Sequence, residues 1–296
     1  MASACFAQRV KTGIEVLKDN GFKLLEGKRV GLVTNPTGVD SHLVSDIDIL
    51  HNAPNVQLVP LYGPEHGVRG SAHAGDAVAG NTDERTHLPV YSLFGKTRVP
   101  TDSMLQGIDV LVYDIQDVGC RSFTYISTLY NIMKAAVKHH IKVVVLDRPN
   151  PLGGEKMEGN LVEDDCVSFV SQFRVPYVYG LTPGEVALLL NGEGMLGGRC
   201  DLTVVKMKGW KRRMTYADTG LPWVLSSPHI PEASTAPFYS ITGIIGELTS
   251  ISIGVGYTLP FKLIGAEWVK AQDFADAMNA LHLPGYTFRP IYYTPY

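Results

Sequence analysis

A carboxylic acid and an imidazole stand side by side in this sequence, and such a pair is suited to proton transfer. Glu65 and His66 belong to the segment Gly-Pro-Glu-His-Gly, which follows an apolar run ending at Leu61. Glycine tolerates positive φ angles and proline fixes its own, so the segment predicts a sharp, rigid turn that presents both side chains. An ordinary surface turn in which Glu65 pairs with Arg69 is the alternative.

Polar residues also follow three other apolar runs. The residues of interest at these run ends are Asn35, Asp114, Asp117, Asp147 and Arg148. Asp114 and Asp117 are three positions apart in one turn, so we expect only one of them to contact a substrate. The other is then expected to brace the backbone or to cap the following helix.

The apolar runs themselves predict buried strands at 29–34, 58–61, 109–113 and 142–146, with helical periodicity between them. This alternation predicts an α/β fold with a Rossmann-like, doubly wound parallel sheet. Ligands of such sheets bind beyond the carboxyl ends of the strands, where all four polar turns fall. No glycine-rich dinucleotide fingerprint and no P-loop is present, so we expect no nucleotide cofactor and no other cofactor.

The character of the sequence changes near residue 170. We therefore predict a Rossmann-like domain over 1–170, carrying most of the active site, and a second, smaller α/β domain over 171–296 that closes a cleft. Within the second part, strands are expected at 172–179, 202–206 and 287–293. The run Thr182-Pro183-Gly184-Glu185 predicts a capping box that opens a helix, which gives Glu185 a structural role.

Composition excludes several classes of protein. The chain has 296 residues, of which 45% are hydrophobic, and a formal net charge of −3 with both signs spread along it. That balance argues against nucleic-acid binding, and no apolar run approaches the roughly 20 residues that cross a bilayer. The four cysteines contain no C-x-x-C pair, which excludes a zinc knuckle. Nothing in the sequence indicates the oligomeric state.

The small residues among the first eight resemble the end of a removed signal peptide. They predict a periplasmic or extracellular location. An added start codon is the competing explanation, and it leaves a cytoplasmic location open.

Several segments occur here in the order found in one known family. They are Val30-Gly31-Leu32-Val33-Thr34-Asn35-Pro36-Thr37-Gly38, Gly63-Pro64-Glu65-His66-Gly67, Tyr113-Asp114-Ile115-Gln116-Asp117-Val118-Gly119, Leu146-Asp147-Arg148-Pro149-Asn150-Pro151, and Pro260-Phe261 before Leu263-Ile264-Gly265. The chain resembles the exo-β-N-acetylmuramidases of glycoside hydrolase family 171, which trim peptidoglycan from its non-reducing end. The resemblance implies a glycosidase that releases N-acetylmuramic acid from peptidoglycan-derived saccharides, with the sugar held between a Rossmann-like domain and a second α/β domain.

Glycoside hydrolysis assigns roles to the candidate residues. We expect Glu65 to be the general acid that protonates the leaving oxygen, which requires a partly desolvated site. The second catalytic group, a nucleophile or base, is either a carboxylate or the substrate's own 2-acetamido oxygen. His66 is expected to orient the sugar or share the proton, with a packed turn histidine as the alternative. Arg121 and Arg148 suit the lactyl carboxylate of muramic acid, with internal ion pairs to Asp117 or Asp147 as the alternative.

These considerations predict Glu65, His66 and Asp114 as catalytic residues. The predicted substrate-binding residues are Asn35, Arg69, Asp117, Arg121, Tyr125, Asp147, Arg148, Glu158 and Glu247. No metal site is predicted in this reading.

The chain departs from the family pattern in three places. Val178-Tyr179-Gly180 replaces Arg-His-Gly, and Ser252-Ile253-Gly254-Val255-Gly256 replaces Ser-Glu-Gly-Arg-Gly. The chain also stops at Tyr296 where the family continues, so we expect part of the second domain to be missing. These departures leave two other functions open. One is a metal-dependent hydrolase that uses His66, His73, Asp76 and Asp114, and the other is a non-catalytic protein that binds cell-wall sugars.

Overall fold

Among the residues described by the computed structural model, which are 9–70 and 81–294, seven strands form one sheet. The strands are β1 (Arg29–Thr34), β2 (Gln57–Gly63), β3 (Asn81–Thr82), β4 (Pro89–Ser92), β5 (Val110–Asp114), β6 (Lys142–Leu146) and β7 (Leu202–Val205). Their order across the sheet is β3-β4-β2-β1-β5-β6-β7. All neighbouring strands are parallel except β3, which is antiparallel to β4.

Helices cover both faces of this sheet. The helices on the sheet are α1 (Gly13–Asp19), α2 (Asp46–His51), α3 (Tyr125–His139) and α4 (Pro183–Gly192), and two further helices, α5 (Thr235–Gly246) and α6 (Ala271–Ala280), come later in the chain. Apolar residues of α3 and α4 pack in one buried cluster, and those of α1 and α2 pack in the other. Strands β1, β5 and β6 are rich in valine and leucine because both of their faces are buried. The predicted doubly wound α/β sheet is confirmed.

The strand order reverses direction between β1 and β5. Strands β2 and β4 lie on one side of β1, whereas β5, β6 and β7 follow one another on the other side. At such a reversal the two crossing connections diverge and leave a crevice at the carboxyl ends of the strands. Asn35 directly follows β1 and Asp114 ends β5, so both lie at this switch point.

The chain divides into two compact units, Met1–Ala233 and Ser234–Tyr296. The division falls later than the predicted boundary near residue 170, because α4 and β7 complete the main sheet and its helical cover. Within the second unit, α5 and α6 form, and Tyr239 packs edge-on against Phe261 with ring centroids 5.0 Å apart. No helix in the described parts of the chain is long and apolar enough to span a bilayer.

Two of the predicted strands are wrong. Residues 287–293 form no strand, and segment 172–179 contributes only two isolated bridges, which join Val178 to Cys120 and to Glu158. Pro176 lacks an N–H group to donate, and Arg121 binds neighbouring carbonyls, through its backbone N–H to Tyr177 (2.8 Å) and through Nη1 to Val175 (2.6 Å). Hydrogen bonds from the backbone and the side chain of Arg121 therefore take the place of a strand ladder in this segment.

The amino terminus of α4 is fixed by its predicted capping box and by Asp147. The Thr182 hydroxyl accepts from the Glu185 backbone N–H, and the Glu185 side chain accepts from the Thr182 N–H. Asp147 accepts from Gly184 N–H (2.8 Å) and from the Thr182 hydroxyl (3.0 Å). A Cβ at Gly184 would lie 2.8 Å from Asp147 Cγ and 2.6 Å from Val204 Cγ1.

Gly184→Ala should therefore destabilise the fold by about 1–3 kcal/mol, because the added methyl overpacks the contact between α4 and β7. Gly192→Ala in the same helix is the matched control, since a Cβ there meets nothing within 4 Å. We expect that variant to be neutral or slightly more stable. Chemical denaturation of both variants measures the two free energies of unfolding, and equal values would contradict the packing argument.

Candidate active site

The turn after β2 has the rigid geometry expected for Gly-Pro-Glu-His-Gly. The Gly67 N–H donates to the Pro64 carbonyl at 3.0 Å, and His66 and Gly67 have left-handed φ angles of 72° and 75°. A Cβ at Gly63 would lie 2.9 Å from the Val68 nitrogen. A left-handed histidine is strained, so the surrounding structure must hold it in place. His66 is buried, whereas Glu65 is half-buried.

Glu65 lies at the amino terminus of α3. The Thr124 hydroxyl donates to Glu65 Oε2 at 3.4 Å, and Tyr125 is the first residue of the helix. Burial is the main reason that the pKa of Tyr125 is raised, and the negative charge of Glu65 raises it further. A carboxylate is favoured at this end of a helix because the unpaired N–H groups there carry partial positive charge.

A proline-framed loop beyond β7 also reaches this region. The Tyr125 hydroxyl donates to the Ser226 carbonyl. The pKa of His229 is lowered, first by burial and then by the nearby positive charge of His66. The segment Ser227-Pro228-His229-Ile230-Pro231 has no sequence feature that would place it beside Glu65. Thr124, Ser226 and His229 are therefore site residues that the sequence-based prediction missed.

The turns after β1 and β5 are joined by one threonine. Asn35 Oδ1 accepts from the Thr37 backbone N–H (3.0 Å) and from the Thr37 hydroxyl (2.5 Å). That hydroxyl in turn accepts from the Gln116 N–H at 2.8 Å. The side chain of Gln116 continues the link by donating to the Pro149 carbonyl (2.7 Å) in the turn after β6. Three of the four predicted polar turns are thus held together by hydrogen bonds.

Asp117 is a buried carboxyl in this network. Its Oδ2 accepts from the Gly119 N–H (2.7 Å) and from the Tyr179 hydroxyl. Burial raises the pKa of Asp117 to about 7, although both hydrogen bonds act in the opposite direction. Tyr179, one of the departures from the family pattern, is therefore the residue that holds Asp117.

Asp114 and Arg148 form an internal ion pair. Arg148 Nε and Nη2 donate to the two oxygens of Asp114 at 2.5 and 3.1 Å, and both side chains are buried. Arg148 Nη2 also donates to the Val39 carbonyl at 2.9 Å. The sequence anticipated an internal pair as an alternative for Arg148, but with Asp117 or Asp147 as the partner. This geometry favours structural roles for Arg148 and Asp114 over contact with a sugar.

A second buried carboxyl, Asp46, lies beside this ion pair. The Thr34 hydroxyl donates to Asp46 Oδ2 at 2.5 Å, and the Asp46 backbone N–H donates to the Gly38 carbonyl at 2.7 Å. Burial and then the negative charge of Asp114 raise the pKa of Asp46 well above its usual value. Burial raises the pKa of Asp114 as well, but Asp114 is the carboxyl that is paired with the Arg148 cation.

The other predicted substrate-binding residues lie in varied environments. Asp147 binds the amino terminus of α4, and Arg69 Nε and Nη2 donate to Asp83 at 2.8 and 3.0 Å. Glu158 is exposed, although its backbone pairs with Val178. Glu247 caps the end of α5 in the second unit and is exposed. These positions favour structural roles for Asp147 and Arg69.

Arg121 is bound by uncharged groups. Its Nη1 donates to the carbonyls of Asn160 and Val175, both at 2.6 Å, and its Nε donates to Ser171 Oγ at 3.0 Å. Within the described ranges no carboxylate forms an ion pair with Arg121, and burial lowers the pKa of its guanidinium. Arginine remains charged even so, which leaves this cation able to bind an external anion.

The metal-dependent alternative involved two residues, His73 and Asp76, that lie outside the described residues. Within 9–70 and 81–294, no group of three or more histidine, cysteine, aspartate or glutamate side chains is arranged to hold a metal ion. Cys120, Cys166 and Cys200, in the same ranges, are free thiols.

Two models of one protein family match this chain. The N-terminal model of the exo-β-N-acetylmuramidase NamZ matches residues 30–234, and the C-terminal model of the same family matches residues 237–296. The chain belongs to the exo-β-N-acetylmuramidase family. The two family models meet close to the division between the compact units, which falls after Ala233.

Similar proteins of known sequence or structure cover nearly the whole chain. The peptidoglycan β-N-acetylmuramidase NamZ of Bacillus subtilis is 50% identical over 287 residues, which are 97% of this chain and 69% of that protein. A crystal structure of a DUF1343 family protein from Bacteroides fragilis matches with a TM-score of 0.92 and 64% identity, covering 97% of this chain and 73% of its own. A crystal structure of a second DUF1343 family protein from the same organism matches with a TM-score of 0.76 and 28% identity, covering 96% of this chain and 86% of its own.

In this exo-β-N-acetylmuramidase, Arg148→Met should destabilise the fold by about 3–5 kcal/mol, because it leaves the buried Asp114 carboxylate without its cation. Adding Asp114→Asn should restore part of that loss, since the orphaned charge is then removed. Arg174→Ala is the control, because its ion pair with Asp164 is exposed and should contribute less than about 1 kcal/mol. Urea denaturation of the wild-type protein, the two single variants and the double variant measures the differences in the free energy of unfolding. A double variant no more stable than Arg148→Met would argue against a charge-based role.

Proposed function

We propose that Glu65 is the general acid with which this enzyme releases N-acetylmuramic acid from the non-reducing ends of peptidoglycan fragments. The protein is a glycosidase of the β-N-acetylmuramidase type. One observation carries the assignment of Glu65. Its carboxyl stands on a rigid turn at the carboxyl edge of the sheet and is half-buried.

The chemistry at Glu65 follows from the needs of a glycosidic bond. A protonated Glu65 would donate its proton to the leaving oxygen as the bond to the anomeric carbon breaks. The resulting carboxylate would then take a proton from the water that completes hydrolysis. His66 lies next to it on the same turn and near His229, where an imidazole is placed to orient the sugar.

Asp117 is a better candidate than Asp114 for the second carboxyl at the site. Arg148 binds both oxygens of Asp114, so that carboxylate is committed to an internal pair. Asp117 has one oxygen, Oδ1, with no hydrogen-bond partner among the described residues. The sequence predicted that only one of the two would contact substrate, and these contacts support Asp117.

The substrate also supports an expectation about location. Peptidoglycan lies outside the cell membrane, and an enzyme that trims its ends meets it in the periplasm or outside the cell. We propose one of these locations for the protein.

Glu65→Gln should reduce the release of N-acetylmuramic acid from a muramyl disaccharide by at least about 100-fold, because the amide cannot donate the proton that a sugar hydroxyl needs in order to leave. Folding should be unchanged, since the substitution keeps the size and the hydrogen bond from Thr124. Glu193→Gln is the control, because Glu193 is exposed at the carboxyl end of α4. Undiminished turnover by the Glu65 variant would remove this residue from the mechanism. Tight binding without turnover by the wild-type protein would instead indicate a sugar-binding protein.

Arg121→Ala should weaken kcat/KM for an N-acetylmuramide by roughly 10- to 100-fold and leave an N-acetylglucosaminide nearly unaffected. The reason is that only muramic acid carries the lactyl carboxylate that the guanidinium would bind. Arg174→Ala on the neighbouring segment is the control. Equal losses on both substrates would show that Arg121 only holds the carbonyls of Asn160 and Val175 in place.

A further inference from the structure

The proline-framed loop 226–231 lies in the same part of the molecule as the proposed general acid. The Tyr125 hydroxyl donates to the Ser226 carbonyl, at the start of this loop. The negative charge of Glu65 acts on that same hydroxyl, and Thr124, the residue before Tyr125, donates through its own hydroxyl to Glu65 at 3.4 Å. Both the loop and the acid are therefore held by the first residues of α3.

The backbone of the loop is fixed by hydrogen bonds. The Ile230 N–H donates to the Ser227 carbonyl at 3.0 Å, which places Pro228 and His229 at the two central positions of a four-residue turn. The His229 N–H donates to Ser227 Oγ at 3.3 Å, and the indole N–H of Trp223 donates to the Ile230 carbonyl at 3.0 Å. Ile230 is also buried. His229 therefore extends from the tip of a turn that cannot easily move.

The imidazole of His229 is partly accessible. His229 is half-buried, whereas the neighbouring histidine, His66, is buried. Burial lowers the pKa of His229, and the positive charge of His66 lowers it further, so the imidazole of His229 is neutral near pH 7. A neutral imidazole offers one N–H donor and one nitrogen acceptor, and a sugar hydroxyl can pair with either.

The strand order indicates on which side of the scissile bond His229 lies. The crevice at the switch point lies between β1 and β5, where we expect the sugar that is released to bind. Glu65 and His66 follow β2, which neighbours β1 on the side away from β5. A general acid must face the leaving oxygen, so the leaving sugar extends from the crevice toward the turn after β2. His229 lies beside His66 of that turn.

We propose that His229 binds the leaving sugar and is a specificity-determining residue for it. Its imidazole forms a hydrogen bond with a hydroxyl of the sugar that follows N-acetylmuramic acid, which in peptidoglycan is N-acetylglucosamine. This assignment rests on the proposed function, because it needs Glu65 at the leaving oxygen.

The experiment compares two substrates that differ only in the leaving group. One is the disaccharide in which N-acetylmuramic acid is β-linked to N-acetylglucosamine, and the other is methyl β-N-acetylmuramide. Both leaving groups are alcohols that need a proton from the acid, but only the disaccharide carries a leaving sugar. A loss confined to the disaccharide therefore reports contact with that sugar rather than an effect on the acid.

His229→Ala should lower kcat/KM for the disaccharide by about 10-fold, the loss expected for one hydrogen bond, and for the methyl muramide by less than about 3-fold. His229→Phe keeps a ring but neither polar atom, so it should give the same pattern. It keeps the proposal testable should the alanine variant fail to fold. Equal losses on the two substrates would overturn the proposal, because His229 would then act on Glu65 or on the fold.

His51→Ala is the matched control. His51 is an exposed histidine at the carboxyl end of α2, so its removal should leave kcat/KM unchanged for both substrates. A loss on the disaccharide alone in this variant as well would contradict the assignment to His229.

Binding separates this proposal from the proposed function. Glu65→Gln removes the proton donor, so calorimetric titration of that variant with the disaccharide and with the methyl muramide measures the affinity that the leaving sugar adds. We expect the disaccharide to bind about 10-fold more tightly, and the added His229→Ala to remove most of this difference. That result supports the contact with His229 even if the wild-type enzyme cleaves neither substrate, which would refute only the function. Equal affinities of Glu65→Gln for the two ligands would overturn the contact.

Discussion

The burial of Arg148 at the carboxyl edge of the sheet constrains everything around it. A guanidinium enclosed in protein must be paired, and Asp114 supplies both of its carboxylate oxygens from the end of β5. The Val39 carbonyl adds a contact from the turn after β1. This one side chain therefore ties the ends of β1, β5 and β6, and the turns that carry the candidate site can diverge only if the pair breaks.

The candidate site residues are not the two members of the ion pair. Asn35, Glu65 and Asp117 come from three separate turns, and each is held by hydrogen bonds or by a turn with restricted backbone angles. Rigid positioning of this kind suits catalysis, because groups that are fixed before the substrate arrives need no reorganisation during the reaction. The Arg148–Asp114 ion pair holds the turns together, whereas the candidate reactive groups belong to the turns themselves.

Much of this arrangement could be predicted from the sequence. Buried parallel strands are continuous runs of valine, isoleucine and leucine, so β1, β5 and β6 were found with nearly correct bounds, and the capping box gave the start of α4. The convergence of polar turns then followed from the rule that parallel strands end at one edge. Glu65 and Asp117 could be proposed on that basis alone.

Other features depend on contacts between distant residues and left no local signal. The sequence could not distinguish Arg121 from Arg148, because only packing decides that one meets Asp114 and the other meets backbone carbonyls. Segment 172–179 has strand-like composition, yet Arg121 competes for its carbonyls and Pro176 offers no donor. The pairing of Tyr179 with Asp117 links residues 62 positions apart, which periodicity does not reveal.

The pairing of Arg148 with Asp114 has an electrostatic consequence for the substrate. The two opposite charges lie within hydrogen-bond distance, so the pair has no net charge and its field decays as that of a dipole rather than that of a single charge. A saccharide that carries a carboxylate on an ether-linked side group therefore meets no net repulsion from this buried pair.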